Sequence, residues 1–596
     1  MFLRSITRKK DGKVHRYYSV VENVRLSGRC NPFQKTLLYL GELSDAQHAA
    51  WSKAITVFDD STGQFQNLSL FADGRRIPDD LAKTSVSLRM SDYRLCHPRQ
   101  YGACWLACEL WRELELDSFW SQRLPPSREG TDWVKLLTVS VVYRLIEPGS
   151  EWRCHRLWYE RSAMRDLLGE DFQWGGKDQL YIVLDRLLKH RDALFIHLQG
   201  RWKDLFGARL DVLLYDLTST YFEGQAEDIQ KARYGYSRDH RFDCKQVVLA
   251  LVVTPEGFPV GYEIMDGNIL DKQTLPQMVK RVESLYGKTQ RVWLMDRGIP
   301  TEEQLEDLRA NDPNVKYLVG TPRAQVKATR DKWEAQPWIK VRDTVEVKLF
   351  KEKDELYVVA RSDGRQQKEI AIRRKKLARL LWTLRGMRKE TKRDRLLMRW
   401  GAAKSAAGRA SAMVEVKFPL KDQEISAQTF SFCVKKKKLA EAQLFDGHYL
   451  LRSNLSDKEP QWLWELYMLL VQIEAVFRCF KNDLGIRPIY HQNDARVQAH
   501  IFVCFQAYCL WVALQGRLRP LAPGLTARQA LDQMSSVQLL DVEIPTTDGR
   551  ILQFTRYTQP EKTVQLLLQR LGKSLPEEPP PKLMSPEKLE LPAGAV

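Results

Sequence analysis

The chain has 596 residues and carries 93 Lys and Arg against 75 Asp and Glu, a formal net charge of +18. That length is enough for several domains, and 44% hydrophobic with 10% aromatic residues excludes a mainly disordered chain. A pI near 9.3 points to a polyanionic partner, nucleic acid before membrane.

In chain order, residues 1–98 read as a small β unit and a linker, because 1–45 alternate apolar and polar positions around Gly and Asn turn signals. Residues 99–205 read as a mainly helical N-terminal region, with apolar residues recurring every three or four positions. The ten Cys include no Cys-x-x-Cys pair, which argues against a secreted disulfide framework. The nearest approach to a metal cluster is Cys96, His97, Cys104 and Cys108. Cys104 and Cys108 stand one helical turn apart in an apolar stretch and read as packed core thiols rather than zinc ligands.

From 206 to 324 the pattern becomes short apolar runs at 210–217, 246–253 and 258–265, the last two divided by the tight turn Pro255-Glu256-Gly257. A helix at 272–286, a strand ending at Asp296, a helix opening at Thr301 and a strand closing at Gly320 follow. Three hairpin-linked strands, then helix, strand, helix and strand, resemble the core of an RNase H-like α/β mixed sheet, in which the first and fourth strands are neighbours.

Residues 325–445 read as a β-rich basic insertion into that sheet-bearing domain. Within them, residues 373–395 hold eleven Lys and Arg, including Arg373, Arg374, Lys375 and Lys376, against two acids, so contact with a polyanion is expected there. The core resumes over 446–575 with a strand at 448–453 and a long helix from about Pro460. Residues 576–596 are rich in Pro and charge and read as a disordered tail. The longest apolar run, 499–514, is broken by Gln506 and is short for a membrane span, and the N-terminus lacks a signal-peptide core. A cytoplasmic protein without a membrane partner is expected.

Asp216 interrupts an apolar strand, where a carboxylate is costly unless hydrogen-bonded, paired or bound to a cation. Taken alone, a turn-stabilising role explains it equally well. Asp296 ends its strand at the carboxyl edge, where open α/β sheets present ligand sites, and Arg297 follows it. If the two strands are neighbours, about 4.8 Å apart, the carboxylates face each other and favour a divalent cation between them. Tyr467, Glu474 and Lys481 are spaced seven and seven and so line one stripe of an otherwise apolar helix, with Arg478 on the same face. On its own that stripe fits a solvated ion pair better; beside two acids it suits a cleft holding metal and phosphodiester.

The chain resembles a bacterial insertion-sequence DDE transposase, in the insertion-sequence-four superfamily with its Tyr-Arg-Glu-Lys signature. The resemblance rests on YDLTSTYFEG (215–224), GYSRDHRFDCKQ (235–246), Gly267-Asn268 with Asp271, the Asp296-Arg297-Gly298 triplet, the helix with Tyr467, Glu474 and Lys481, and RPIYH (487–491). Leu470 stands where the signature has Arg, with Arg478 as the alternative cation. The resemblance implies a metal-binding catalytic triad of Asp216, Asp296 and Glu474 with two Mg²⁺ ions (Mn²⁺ as a substitute). It further implies cleavage at element ends and transfer of the 3′-OH into target DNA, a double-stranded DNA partner with terminal inverted repeats, a homodimer on DNA, and a nucleoid-associated enzyme. Tyr467, Arg478, Lys481, Arg297 and the 373–376 cluster are the expected DNA contacts, and the first 200 residues are expected to recognise the element end. The alternatives are a metal-dependent nuclease without strand transfer and an impaired DNA-binding relic.

Overall fold

The structure, a computed structural model, describes residues 2–10, 13–24, 33–42, 55–59, 64–68 and 88–584, except 129–130, 170–177, 297–299, 312–313, 422, 427, 456–457 and 548. The chain divides into two compact units, one of Asp192–Arg478 and Arg487–Asp494, the other of Met1–Arg191, Cys479–Ile486 and Ala495–Val596.

The first of these is built on a nine-stranded mixed sheet. Its strands in chain order are β1 (Val212–Tyr221), β2 (Gln246–Val253), β3 (Pro259–Asp266), β4 (Val292–Met295), β5 (Lys316–Gly320), β6 (Ile339–Arg342), β7 (Val345–Glu352), β8 (Glu355–Ser362) and β9 (His448–Ser453). Across the sheet they run β6-β7-β8-β9-β5-β4-β1-β2-β3. β1, β2 and β3 are successive antiparallel neighbours, whereas β4 lies parallel to both β1 and β5. The first and fourth strands are therefore side by side, as their order in the sequence suggested. β2 is buried at all eight positions, the run of apolar residues expected of a strand covered on both faces. The Pro255–Gly257 turn closes with the Gly257 amide donating to the Thr254 carbonyl at 2.9 Å, and Gly257 takes a φ of 91° that few side chains tolerate.

Helix α1 (Leu275–Tyr286) places Leu275, Met278, Val279 and Val282 on one stripe, has Pro in its first turn and stops at Gly287. That stripe and Leu305 of α2 (Glu302–Asn311) pack on Leu213, Tyr215 and Leu217 of β1 and Trp293 and Met295 of β4. Side chains alternate along a strand, so Asp216 and Asp296, each one residue on from the paired Tyr215 and Met295, point to the opposite face.

The stretch 325–445 differs from a β-rich insertion. β6, β7 and β8 extend the main sheet, joined through β9. What leaves the sheet between β8 and β9 is largely helical: α3 (Asp363–Met387), α4 (Arg393–Ala407), a small ribbon of Val414–Lys417 with Ser431–Val434, and a helix Lys436–Leu444. Leu377, Leu380, Leu384 and Met387 of α3 repeat at helical spacing and pack on Leu396, Val414 and Phe430, while the basic residues stay outside that core.

The second unit has a three-stranded antiparallel sheet, Phe2–Lys10, Lys13–Val24 and Phe33–Glu42, in the region expected to be β. Helices dominate the stretch from Gly102 to Arg191, and Cys104 and Cys108 are buried in the helix Gly102–Glu113, where burial pushes both thiols up. Contrary to the domain boundaries expected from sequence order, residues 495–575 group with this unit rather than with the large sheet. The helix Asp494–Leu521 is long and apolar enough to cross a membrane, but 89% of its apolar window is buried inside the protein. Its Gln506 accepts from the indole of Trp120 at 3.0 Å. Strand Arg94–Gln100 pairs with Gln538–Pro545, and Arg99 bridges to Asp541 at 2.9 Å. Within the stretch expected to be a disordered tail, Lys582–Met584 pairs with Ile551–Gln553, and Glu578 bridges to Arg556 at 3.1 Å. Residues 585–596 lie outside the described residues.

Candidate active site

Asp216, Asp296 and Glu474 wall one cleft of about 280 Å³ in the sheet-bearing unit, together with Tyr467 and Leu470. β1 and β4 bring the two aspartates abreast. Glu474 comes from α6 (Leu470–Arg478), which packs against β1 and follows α5 (Pro460–Met468) after a break at Leu469. Ile473, Val476 and Phe477 bury the apolar side of α6 and leave Glu474 exposed.

The Leu217 amide donates to Asp216 Oδ1 at 2.7 Å. Burial first, and then the negative charges of Asp296 and Glu474, push the Asp216 carboxyl up to about 7. The Leu217 amide and the charge of Arg238 act in the other direction but are outweighed. Three carboxylates offer hard oxygen donors, and a divalent ion among them would offset the repulsion that holds Asp216 partly protonated. The residues fit such an ion.

The supporting blocks are tied to one another, and Arg238 among them acts on Asp216. Arg238 lies 2.8 Å from Asp271, and its amide donates to Ser219 at 3.2 Å. Arg487 reaches Asp239 at 2.9 Å. A Cβ on Gly235 would stand 2.1 Å from the Gly267 carbonyl oxygen, so the two glycines permit a backbone contact that no side chain allows. Gln246 locks it by donating to the carbonyls of Gly267 at 2.8 Å and Tyr236 at 3.1 Å. Tyr467 stacks on Tyr449, ring centroids 5.8 Å apart at 25°.

The remaining expected contacts fare differently. Arg478 is exposed at the end of α6 and is not among the residues lining the cleft. Lys481 falls in a π-turn at Cys479–Asp483, which changes the residues per turn after Glu474, and that turn groups with the other unit. Arg297 lies outside the described residues. Arg373 is committed internally, forking onto the buried carboxylate of Asp446. Arg374, Lys375 and Lys376 are exposed on α3. Sequence reasoning missed Arg365, which reaches the cleft from the first turn of α3 and belongs to no recognisable pattern, and Arg238, whose only signal was its place in a matching block.

The profile of the family described as "Transposase DDE domain" matches residues 207–510, just over half the chain. The chain belongs to that family. The match takes in all three acids of the cleft. No curated protein sequence matches the chain. Among solved structures, the cryo-EM piggyBac transposase synaptic complex with hairpin DNA is similar over 72% of this chain and 77% of that one, at 6% identity and a TM-score of 0.34.

Proposed function

We propose that the protein is a cut-and-paste DNA transposase, cleaving phosphodiester bonds at the ends of an insertion sequence and transferring the freed 3′-OH into target DNA. One observation carries this reading: in a member of the transposase DDE family, two acids on adjacent parallel strands and a third from a helix far along the chain meet in one cleft. The antiparallel β1–β3 followed by β4 and β5 parallel to β1 supports an RNase H-like catalytic core.

Asp216, Asp296 and Glu474 would hold two Mg²⁺ ions, or Mn²⁺ in their place; such ions, when bound, activate the attacking oxygen and stabilise the leaving one. Asp216 must be ionised to serve, which burial and the neighbouring acids oppose and a bound cation would favour. The three acids and the ions they would hold suffice for direct displacement by water and then by the 3′-OH, without a covalent intermediate on the protein. The exposed Arg374, Lys375 and Lys376 supply backbone affinity for double-stranded DNA without reading bases. The working complex is a homodimer holding two element ends, the N-terminal residues select the end sequence, and the enzyme acts in the bacterial cytoplasm at the nucleoid.

The test is cleavage and strand transfer on an end-containing duplex with Mg²⁺, run beside a gel-shift assay. Asp216→Ala, Asp296→Ala and Glu474→Ala should each abolish cleavage and retain DNA binding, because affinity comes from Lys and Arg. Full activity in any one removes that residue from the triad, and hydrolysis without joined product converts the assignment to a nuclease.

A further inference from the structure

A second cavity of about 180 Å³ overlaps the cleft, sharing Asp296, Glu474, Arg365, Tyr449 and Tyr467 with it and adding Thr321. Arg365 is the only Lys or Arg among the described residues lining either cavity. Its guanidinium carbon sits 4.9 Å over the Tyr449 ring, which in turn stacks on Tyr467 and accepts a hydrogen bond from the indole of Trp464. One nitrogen, Nε, lies 3.3 Å from Glu369 one turn on in α3. A guanidinium has five donors, so the four on the terminal nitrogens remain for a ligand. The side chain is 38% exposed, in reach of a large solute.

Two divalent ions would neutralise the three carboxylates and the phosphodiester being cut, which leaves a neighbouring phosphate without a partner unless the protein supplies a cation. Leu470, 8% exposed on the wall of the same cleft, offers no charge at the position where the resembled signature carries Arg. Arg365 brings a planar fork, matched to two phosphate oxygens, from another element. The aromatic base beneath it fixes its plane.

We propose that the cavity formed by Arg365, Tyr449 and Thr321 beside the carboxylates binds a DNA phosphodiester neighbouring the one that is cut, Arg365 supplying the charged contact that Leu470 does not. The assignment rests on the transposase reading. It makes the helical excursion part of the chemistry as well as of DNA affinity, because Arg365 is the third residue of α3.

The test uses the full-length chain and end duplexes in which single phosphates near the cut are replaced, one at a time, by neutral methylphosphonates. With unmodified DNA, Arg365→Ala should slow cleavage about 10- to 100-fold with little change in overall DNA affinity. One neutralised phosphate should slow the wild type by a similar factor and Arg365→Ala by none. Arg365→Lys should recover part of the rate, and Leu470→Arg placed in the Arg365→Ala chain should recover more. Cleavage by Arg365→Ala within twofold of wild type, or neutralisation effects that multiply at every position, overturns the proposal and leaves the catalytic triad standing. The same duplexes are scored by gel shift with Ca²⁺. If the wild type cuts nothing but one neutral phosphate weakens its binding and not that of Arg365→Ala, the phosphate site stands and the transposase reading fails; absence of that difference overturns the site.

Discussion

Asp216 makes the protein's stability depend on pH in a direction opposite to most native carboxylates. Its carboxyl is moved from the ordinary 3.8 up to about 7, so the folded state binds a proton that the unfolded chain releases. Without metal, the penalty is absent below pH 4, grows between pH 4 and 7, and is complete above 7. That displacement is worth on the order of 4 kcal/mol as a ceiling, reduced toward about 2 kcal/mol by water at the cleft mouth. Asp216→Asn, which keeps the shape and discards the charge, should therefore melt higher than wild type in EDTA at pH 8, by several degrees for the sheet-bearing unit. The gap should close by pH 4. Mg²⁺ should reverse the order at pH 8, raising the melting point of wild type and leaving Asp216→Asn where it was. Differential scanning fluorimetry across pH 4–9, with and without Mg²⁺, measures all three. A gap that is the same at every pH, or Mg²⁺ stabilising both chains equally, would refute the argument that mutual repulsion and burial hold this carboxyl protonated.

Two further outcomes separate the basic residues of α3. Arg373→Ala removes the fork from the buried Asp446 carboxylate and should cost about 3 kcal/mol of stability in denaturant titration, while leaving the salt dependence of DNA binding unchanged. Replacing Arg374, Lys375 and Lys376 by Gln should do the converse. Stability should stay nearly unaltered, and the slope of log K against log salt should fall by about 0.9 for each phosphate no longer neutralised, as read by fluorescence anisotropy.

How far the sequence discloses such differences depends on the range of the interaction involved. The sheet core was legible because β2 is apolar throughout and α1 spaces its buried residues at three and four, both local patterns. Asp216 and Asp296 stood out because a carboxylate in an apolar strand contradicts its surroundings. Glu474 needed the matching blocks as well, since its stripe alone fits an ordinary surface. The π-turn that holds Lys481 leaves no sequence signal that spacing arithmetic detects, so a constant period is assumed there. The alternating runs of β6–β8 were recognised as strands, but nothing local says which sheet they join. Arg373 and Asp446 lie far apart in sequence, so a residue counted as surface charge was already committed to the interior. Arg365 is invisible for the same reason, since Tyr449 beneath it and Glu474 across the cleft arrive from later elements.

The unit assembled from both ends of the chain has a consequence for synthesis. Trp120 and strand Arg94–Gln100 are made early, yet their partners Gln506 and Gln538–Pro545 leave the ribosome roughly 400 residues later, about 20–80 s at ordinary elongation rates. Until then apolar helices such as Trp133–Ile146 have no finished core to enter, and they are substrates for chaperones and proteases. A message broken or frameshifted anywhere before the strand Gln538–Pro545 therefore yields a chain whose first unit cannot close, however intact its three acids. Such fragments keep exposed the apolar faces that the later segments cover in the folded chain, which makes them prone to aggregation and proteolysis.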